Sequence, residues 1–402
     1  MKIYFLSYWF PYPPDNGSRI RVFNFIKALS VEHEVYLTTF LQDDSDPGNV
    51  ETLSRFCKVV SLHSPKPPQK SSRSYLGLFS KRPRSVVDNF DPDIYDAIQK
   101  TILKINPDVI VVSMVDIAEY ITFGNSDVPS ILIDHNCEFG VIQRKAEFAT
   151  SLLAKLRYEM SWRKYARWEA SILREFDKVV MPTKEDSLKM EQFSPGVRNI
   201  HVIPNAADTD HFDPSKWSPD DNILVYNGAL SYSANLDSVL YYKEKIYPYL
   251  RKIYPNIKLL VTGRYDNVNI DLISDCPGIK LTGFVEDIRD ILYGSQVCIV
   301  PLRQGGGMRL KIPEAMAAGV PVVSTSMGAE GLKCVHEKHL LIADTPDEFI
   351  TAIKRLMDDK SLADTLRRNA RQLIEEKYSW KTNAGLFVEL VESVARNNGV
   401  NS

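Results

Sequence analysis

The sequence predicts an α/β protein with two doubly wound, parallel sheets, and three observations carry that prediction. Short apolar runs rich in β-branched residues alternate with amphipathic stretches along the chain, as in successive βα units. A length of 402 residues suits two cores of roughly 150 residues or more better than one. Residues 203–222 are rich in proline and aspartate and lack an apolar period, which is typical of a linker. We therefore expect two domains, 1–212 and 213–379, followed by a final segment, 380–402.

Ten segments have the length and composition of buried strands, five in each half. They are residues 2–10, 34–40, 109–114, 130–135 and 178–183, then 223–230, 257–263, 279–284, 297–302 and 320–325. Helices are predicted between them, for example at 18–30, where Val22, Phe25, Ile26 and Leu29 share one stripe, and at 234–250. Each half thus has the pattern of an open α/β sheet.

The composition excludes several classes of protein. Hydrophobic residues make up 44% and charged residues 25% of the chain, and the net charge is -2, so no general basic field would draw the protein to nucleic acid. The five cysteines form no CxxC pair, which disfavours a zinc knuckle or a redox motif and favours a reducing cytoplasm. The first apolar run stops at Pro11 and is too short to span a membrane.

The most informative segment is 301–331, in which a strand runs into three glycines and then into a helix. Glycines let backbone N–H groups approach a ligand closely, and a helix start attracts anions. Arg309 and Lys311 add positive charge, so the segment has the features of a diphosphate site. Glu314 lies one turn further on and could accept hydrogen bonds from a ribose diol. The alternative is a flexible loop followed by a solvated helix face.

This segment resembles the donor-site motif of glycosyltransferase family 4, which comprises retaining enzymes of the GT-B fold, and in particular a subgroup with a GGG-x-RLK-x-x-EAMA pattern. Further strings are similar to that family: PYPPDNGSRIRVFNFIKAL from residue 11, LIDHNCEFG from 132, VIPNAADTDHF from 202 and KYSW from 377. The resemblance implies two Rossmann-like domains facing across a cleft, the first on the acceptor side and the second binding the donor. It also implies that the helix at 380–402 crosses back to the first domain.

The resemblance also implies site residues. Those expected to bind the donor are Gly17, Gly306, Gly307, Arg309, Leu310, Lys311 and Glu314. The sequence departs from the family where an acidic residue usually contacts the sugar, because Gly306 stands there. Ala229 and Ala234 hold the places of the usual diphosphate-binding Arg and Lys, so Arg309 and Lys311 are expected to supply that charge.

His135 and Glu138 are the candidate catalytic residues. His135 follows the apolar run SILID, which places it at the carboxyl end of a parallel strand, where ligands of open α/β sheets bind. The family counterpart of this histidine contacts the donor sugar. A purely structural histidine is the alternative, and Glu138 could instead pair with Arg144.

Together these features predict a cytoplasmic, retaining glycosyltransferase of polysaccharide biosynthesis that moves a hexose from a nucleoside diphosphate sugar to a glycan or lipid-linked acceptor. No cofactor and no metal are expected, because no acidic pair or His/Asp/Glu group has the spacing of metal ligands. A Rossmann oxidoreductase is disfavoured, since no GxGxxG follows the first strand. A non-catalytic nucleotide-sugar-binding or scaffold protein stays open because of Gly306.

Two basic segments, 64–85 and 144–176, predict peripheral contact with the anionic inner face of a membrane. The second also contains aromatic residues, among them Phe148, Tyr158, Trp162 and Tyr165. The alternative is that these rings pack a long helix onto its own sheet and that the charges only keep the surface soluble.

Overall fold

A computed structural model describes residues 1–42, 47–64, 80–122, 127–147, 149, 151–193, 195–197, 199–305 and 307–399. The chain forms two compact units. The first comprises Met1–Pro204 together with Ala384–Ser402, and the second comprises Asn205–Asn383. The division therefore lies after Pro204, a few residues before the position expected from the linker composition.

The described part of the first unit contains a seven-stranded parallel sheet with the strand order β3-β2-β1-β4-β5-β6-β7. Its strands are β1 (Lys2–Ser7), β2 (Glu34–Phe40), β3 (Lys58–His63), β4 (Val109–Ser113), β5 (Ser130–Ile133), β6 (Lys178–Met181) and β7 (Ile200–Val202). All four residues of β5 and all five of β4 are buried, as expected of strands covered by helices on both faces.

Eight helices of the first unit lie between these strands along the chain. They are α1 (Gly17–Leu29), α2 (Val50–Leu53), α3 (Arg84–Asn89), α4 (Pro92–Ile105), α5 (Glu119–Thr122), α6 (Glu138–Glu147), α7 (Leu152–Leu173) and α8 (Lys184–Phe193), as far as the chain is described. The predicted stripe of α1 is buried in full. The segment 144–176, expected as one helix, is divided between α6 and α7.

The second unit contains, within its described residues, a six-stranded parallel sheet in the order β10-β9-β8-β11-β12-β13. Its strands are β8 (Ile223–Asn227), β9 (Lys258–Thr262), β10 (Ile279–Gly283), β11 (Val297–Val300), β12 (Val322–Ser324) and β13 (Leu341–Ile342). Its helices are α9 (Ser233–Tyr241), α10 (Tyr247–Ile253), α11 (Asp271–Ser274), α12 (Arg289–Tyr293), α13 (Lys311–Ala317), α14 (Pro346–Asp358) and α15 (Lys360–Lys377).

The last helix, α16 (Trp380–Gly399), starts in the second unit and continues into the first. In the first unit, Phe387 on α16 stacks on Phe25 of α1 with ring centroids 4.1 Å apart. Nearby, His33 Nε2 lies 3.2 Å from Glu392 Oε1. The part of α16 around Phe387 is therefore packed into the core of the first unit.

Both sheets reverse their strand order at one point, between β1 and β4 in the first unit and between β8 and β11 in the second. At such a switch point the helices that follow the two strands lie on opposite faces of the sheet, which leaves a crevice at the carboxyl ends. The fold therefore directs attention to the residues that follow Ser7, Ser113, Asn227 and Val300. Among the helices in the described ranges, none combines the length and the apolar character needed to cross a bilayer.

Candidate functional site

The glycine segment after β11 lies at the switch point of the second sheet. Gly305 and Gly307 have φ angles of +119° and +70°, a region that residues with a Cβ rarely adopt, so the chain can turn sharply before α13. Gly306 lies outside the described residues. The helix that follows has only seven residues, and its first residue is Lys311, so charged side chains rather than a long helix dipole supply most of the positive potential here.

Lys311 is buried at the carboxyl end of β8, with 9% of its surface exposed. Its Nζ donates hydrogen bonds to Tyr226 Oη and Asn235 Oδ1, both at 2.9 Å, and lies 4.0 Å from the centroid of the Tyr226 ring. A Cβ placed on Gly228 would lie 2.8 Å from this Nζ and from Asn235 Nδ2, so a larger residue there would displace both side chains. Burial, together with the nearby charge of Arg309, lowers the pKa of Lys311 to about 7.

Glu314 is held by a polar chain that crosses the ends of two neighbouring strands. Asn227, the last residue of β8, donates from Nδ2 to Glu314 Oε2 at 2.9 Å. Thr262, the last residue of β9, donates from Oγ1 to Asn227 Oδ1 at 3.0 Å. Burial raises the pKa of Glu314 to about 7, against the opposing effect of Lys311. This carboxyl group therefore has a fixed position and one oxygen that Asn227 does not use.

Arg309 connects the glycine turn to a later loop. Its Nη1 donates to the carbonyl oxygen of Gly307 at 2.5 Å and lies 3.2 Å from Glu330 Oε2. The guanidinium is 9% exposed, so it is desolvated and its interactions with an anion would be screened weakly. An anion bound here would share Arg309 with Glu330.

A second group of polar residues lies at the carboxyl ends of β4 and β5 in the first unit. Ser113 ends β4, and its Oγ is hydrogen-bonded to His135 Nε2 at 2.8 Å. Burial, together with the nearby charge of Arg21, lowers the pKa of His135 to about 3. The imidazole is therefore neutral at physiological pH. It can donate or accept a hydrogen bond with a hydroxyl group without acting as an acid.

Several buried carboxyl groups surround this histidine loop. Glu169 of α7 accepts the backbone N–H groups of Glu138 and Phe139, both at 3.2 Å, and so holds the first turn of α6. Burial raises the pKa values of Asp134 and Glu169 well above those of free carboxyl groups. The pKa of Glu138 is raised to about 7 by burial and by the charge of Asp116. Protons are therefore retained in this cluster near neutral pH.

The structure brings Arg309, Lys311 and Glu314 together at one sheet edge, with Leu310 at the start of α13 and Gly307 in the turn before it. In the first unit, His135 lies in the loop after β5, and Glu138, three residues later, is the first residue of α6. Gly17 begins α1, where Asn16 caps the helix through Arg19 N. The predicted contact of Gly17 with the donor stays a prediction.

Sequence reasoning missed the polar partners of this site. Asn227, Asn235 and Tyr226 hold Lys311 and Glu314, and Glu330 pairs with Arg309. An asparagine directly after the apolar run ILVY was a usable signal, because polar residues at the carboxyl end of a parallel strand often face a ligand. Nothing local marked Asn235 or Glu330, whose contacts are made 76 and 21 residues away in sequence.

Known proteins resemble this chain in sequence and in fold. Residues 221–359 match the family model described as Glycosyl transferases group 1. A Klebsiella pneumoniae protein, described as an uncharacterized 44.6 kDa protein in the cps region, is 26% identical over 404 residues, which cover 96% of this chain and 99% of that protein. Two solved structures, both under 20% identical, show the fold of the chain.

Sucrose-phosphate synthase from Thermosynechococcus elongatus has a TM-score of 0.75 at 18% identity, covering 100% of both chains. Anabaena Alr3699/HepE, solved in complex with UDP and glucose, has a TM-score of 0.71 at 15% identity, covering 98% of this chain and 100% of that chain. The predicted GT-B type of fold, with two Rossmann-like parallel sheets, is therefore confirmed. Residues 221–359 are thus similar to group 1 glycosyltransferases, and the whole chain shares its fold with solved enzymes of the GT-B type.

Proposed function

We propose that this protein is a retaining hexosyltransferase that takes its sugar from a nucleoside diphosphate donor and transfers it to a glycan or lipid-linked acceptor in polysaccharide biosynthesis. The observation that carries the proposal is the buried Lys311 ammonium beside Gly228 at the switch point of the second sheet. A buried cation is costly unless an anion is bound. A diphosphate would supply that anion.

The candidate donor site has groups suited to the phosphates and the ribose of a nucleoside diphosphate. Lys311 and Arg309 would neutralise the phosphates, and the turn at Gly305 and Gly307 lets the backbone approach them. Glu314 would accept hydrogen bonds from the ribose hydroxyls with the oxygen that Asn227 leaves unused. The Anabaena neighbour was solved with UDP and glucose, which makes UDP-glucose a sensible first donor for this chain.

For the transfer step, we assign His135 a contact with the donor sugar and Glu138 a supporting role beside it. A neutral imidazole suits this role because it can bind a sugar hydroxyl through hydrogen bonds without carrying charge. In a retaining reaction of this type, the leaving diphosphate can accept the proton of the acceptor hydroxyl. Lys311 and Arg309 would then stabilise the charge that develops on the leaving group.

No cofactor and no metal ion enter this proposal. The charge that a divalent cation supplies to a leaving diphosphate in other transferases would come here from two desolvated side chains, Lys311 and Arg309. A cytoplasmic location belongs to the same proposal, because nucleotide sugars are its substrate. If activity is lost in EDTA and restored by Mg²⁺ or Mn²⁺, the metal-free part is wrong.

The test is a transfer and hydrolysis screen with UDP-, GDP- and ADP-hexoses, with NMR of the product anomer to read the stereochemistry. His135→Asn should reduce kcat about tenfold or more by removing a hydrogen bond to the sugar. His63→Asn is the matched control, since His63 also ends a strand of the same sheet and is bonded to a serine. Nucleotide binding without any turnover would favour the non-catalytic alternative, and an inverted product would contradict retention.

A further inference from the structure

An apolar stripe lies exposed on the N-terminal half of α7. Leu152, Leu153, Leu156 and Met160, here called the leucine stripe, have exposed fractions of 86%, 80%, 57% and 61%. Positions 152, 153, 156 and 160 fall within about 100° of one another on a helix with 3.6 residues per turn. The four side chains therefore form one continuous surface rather than scattered contacts with water.

The opposite side of α7 is packed against the core of the first unit. Trp162, Tyr165 and Trp168 are 7%, 5% and 6% exposed, and Trp168 donates from Nε1 to Glu119 at 3.0 Å. Three of the aromatic residues that suggested a membrane-facing helix from the sequence are thus core residues, and Tyr158 is partly buried against the same core. Phe148 lies outside the described residues. Within the described residues of α7, the exposed apolar surface is the leucine stripe.

Basic side chains border the stripe. Helix α7 carries five Lys and Arg residues against two glutamates, and one of these, Glu169, is buried. Arg163 and Arg167 continue the exposed face beyond Met160, and Arg163 is paired with Glu159. Leucine next to arginine and lysine on one exposed helix face is the arrangement of helices that lie in the headgroup region of an anionic bilayer.

The other basic segment contributes less than its sequence suggested. Arg82 lies 3.3 Å from Glu119, and Arg84 lies 3.4 Å from Asp88, so their charges are largely used within the fold. Residues 65–79 lie outside the described part of the chain. Among the described residues, the basic surface that could contact a partner therefore lies on α7.

We propose that the leucine stripe of α7 inserts into the surface of an anionic lipid bilayer. A second copy of the chain fits the surface less well, because two stripes facing each other would bring their bordering arginines together. Anionic lipid headgroups pair with the same arginines and accept the leucines below them. The stripe is also small, since Leu152 to Met160 span about 12 Å at 1.5 Å per residue.

A chain held at a bilayer by α7 would take its acceptor from the lipid-linked class. This step rests on the proposed function. Helix α7 also carries Glu169, which holds the backbone of Glu138 and Phe139 at the start of α6. The same helix would therefore touch the membrane with one half and support the candidate catalytic loop with the other. A lipid-linked acceptor would then be presented from the surface that α7 contacts.

The test is co-sedimentation of the full chain with vesicles of phosphatidylcholine alone and with 30% phosphatidylglycerol, as about a third of anionic lipid gives a strong surface potential. Binding to the anionic vesicles should fall steeply between low and high salt. The variant Leu153→Glu/Leu156→Glu should bind about tenfold or more weakly, since apolar burial is replaced by charge. Leu103→Glu is the matched control, because Leu103 on α4 is 81% exposed and should bind like wild type.

A single Arg167→Glu variant gives a second measurement and should weaken anionic binding without affecting the melting temperature. Wild-type binding by both stripe variant and control, or equal binding to the two vesicle types, would overturn the proposal. So would a dimer in size-exclusion chromatography that the stripe variant breaks while vesicles stay unbound. Because no donor or turnover enters this assay, its failure leaves the transferase proposal standing, and loss of turnover leaves the vesicle result standing.

Discussion

Lys311 and Glu314, which both contact the carboxyl end of β8, have pKa values far from those of free side chains. Burial lowers the pKa of Lys311 and raises that of Glu314, each to about 7. At neutral pH each group is therefore partly neutral in the empty site. Groups whose pKa values are displaced toward neutrality by desolvation are common where a ligand completes the charge balance.

Proton linkage follows from the pKa of Lys311. An anion favours the charged ammonium, so a diphosphate should raise this pKa and its binding above pH 7 should take up a proton. We expect UDP affinity to fall between pH 7 and 9, by at most about tenfold per pH unit. Calorimetry in buffers of different ionisation enthalpy measures the uptake. A flat affinity with no proton uptake would show that Lys311 does not meet the phosphates.

At this scale, the sequence indicated the charged residues of the candidate donor site but not the side chains that contact them. Arg309, Lys311 and Glu314 were visible because glycine, cations and a carboxylate follow one strand within a dozen positions. Asn235 and Glu330 were not, since a side-chain hydrogen bond between distant segments leaves no local pattern. The pKa values were also out of reach, because they depend on burial that only the folded chain creates.

At the scale of elements, α6 and α7 are joined through a buried carboxyl group. Glu169 of α7 accepts two backbone N–H groups at the start of α6, a position where a helix lacks internal acceptors. Burial and the charge of Asp134 raise the pKa of Glu169. The α6 turn that carries Glu138 is thus fixed by a residue 31 positions away.

The raised pKa of Glu169 predicts how stability depends on pH. A carboxyl group whose pKa is higher in the folded state stabilises the fold below the unfolded value of about 4.3, and this contribution is lost as pH rises. Wild type should therefore lose stability from pH 5 to 8, and Glu169→Gln should lose less over the same range. Thermal melts of both proteins across this range are the measurement. Parallel pH profiles would mean that Glu169 titrates normally.

The prediction of strands succeeded where the apolar runs are clear and failed where the strands are very short or lie at an edge. All ten predicted strands are present within a few residues of their expected ends. Strand β3 was missed because Lys58–His63 alternates exposed and half-buried residues at an edge. Strands β7 and β13 have three and two residues, too few to form a pattern. The helix expected at 234–250 is interrupted by a π-helical stretch, Tyr242–Ile246, ahead of Pro248, which cannot donate a backbone hydrogen bond.

At the scale of the whole molecule, α16 returns to the first unit and packs against residues from the beginning of the chain. Phe387 is fully buried and stacks on Phe25. Phe387→Ala should destabilise the first unit by about 3–5 kcal/mol, the usual cost of removing a buried ring. The neighbouring Leu386→Ala is the control, because Leu386 is 45% exposed and should cost less than about 1 kcal/mol.

Chemical denaturation followed by two probes, one for each unit, is the measurement for this pair, since a two-domain chain need not unfold in one step. The transition of the first unit should move in Phe387→Ala while that of the second stays in place. Equal effects of the two substitutions would mean that α16 adds little to the stability of the first unit.

The proposed function requires that Lys311 binds the diphosphate of a nucleotide sugar at the switch point of the second sheet. The measurement is titration calorimetry of UDP into wild type, Lys311→Met and Arg303→Met. Arg303 is a cation in the loop after β11 and is paired with Asp237, so its loss should leave the affinity unchanged. Lys311→Met should weaken UDP binding by about 1.5–3 kcal/mol, the worth of a charged hydrogen bond, without lowering the melting temperature, because the buried charge is itself a cost in the empty site. Equal UDP affinity in wild type and Lys311→Met, with the fold intact, would contradict the claim.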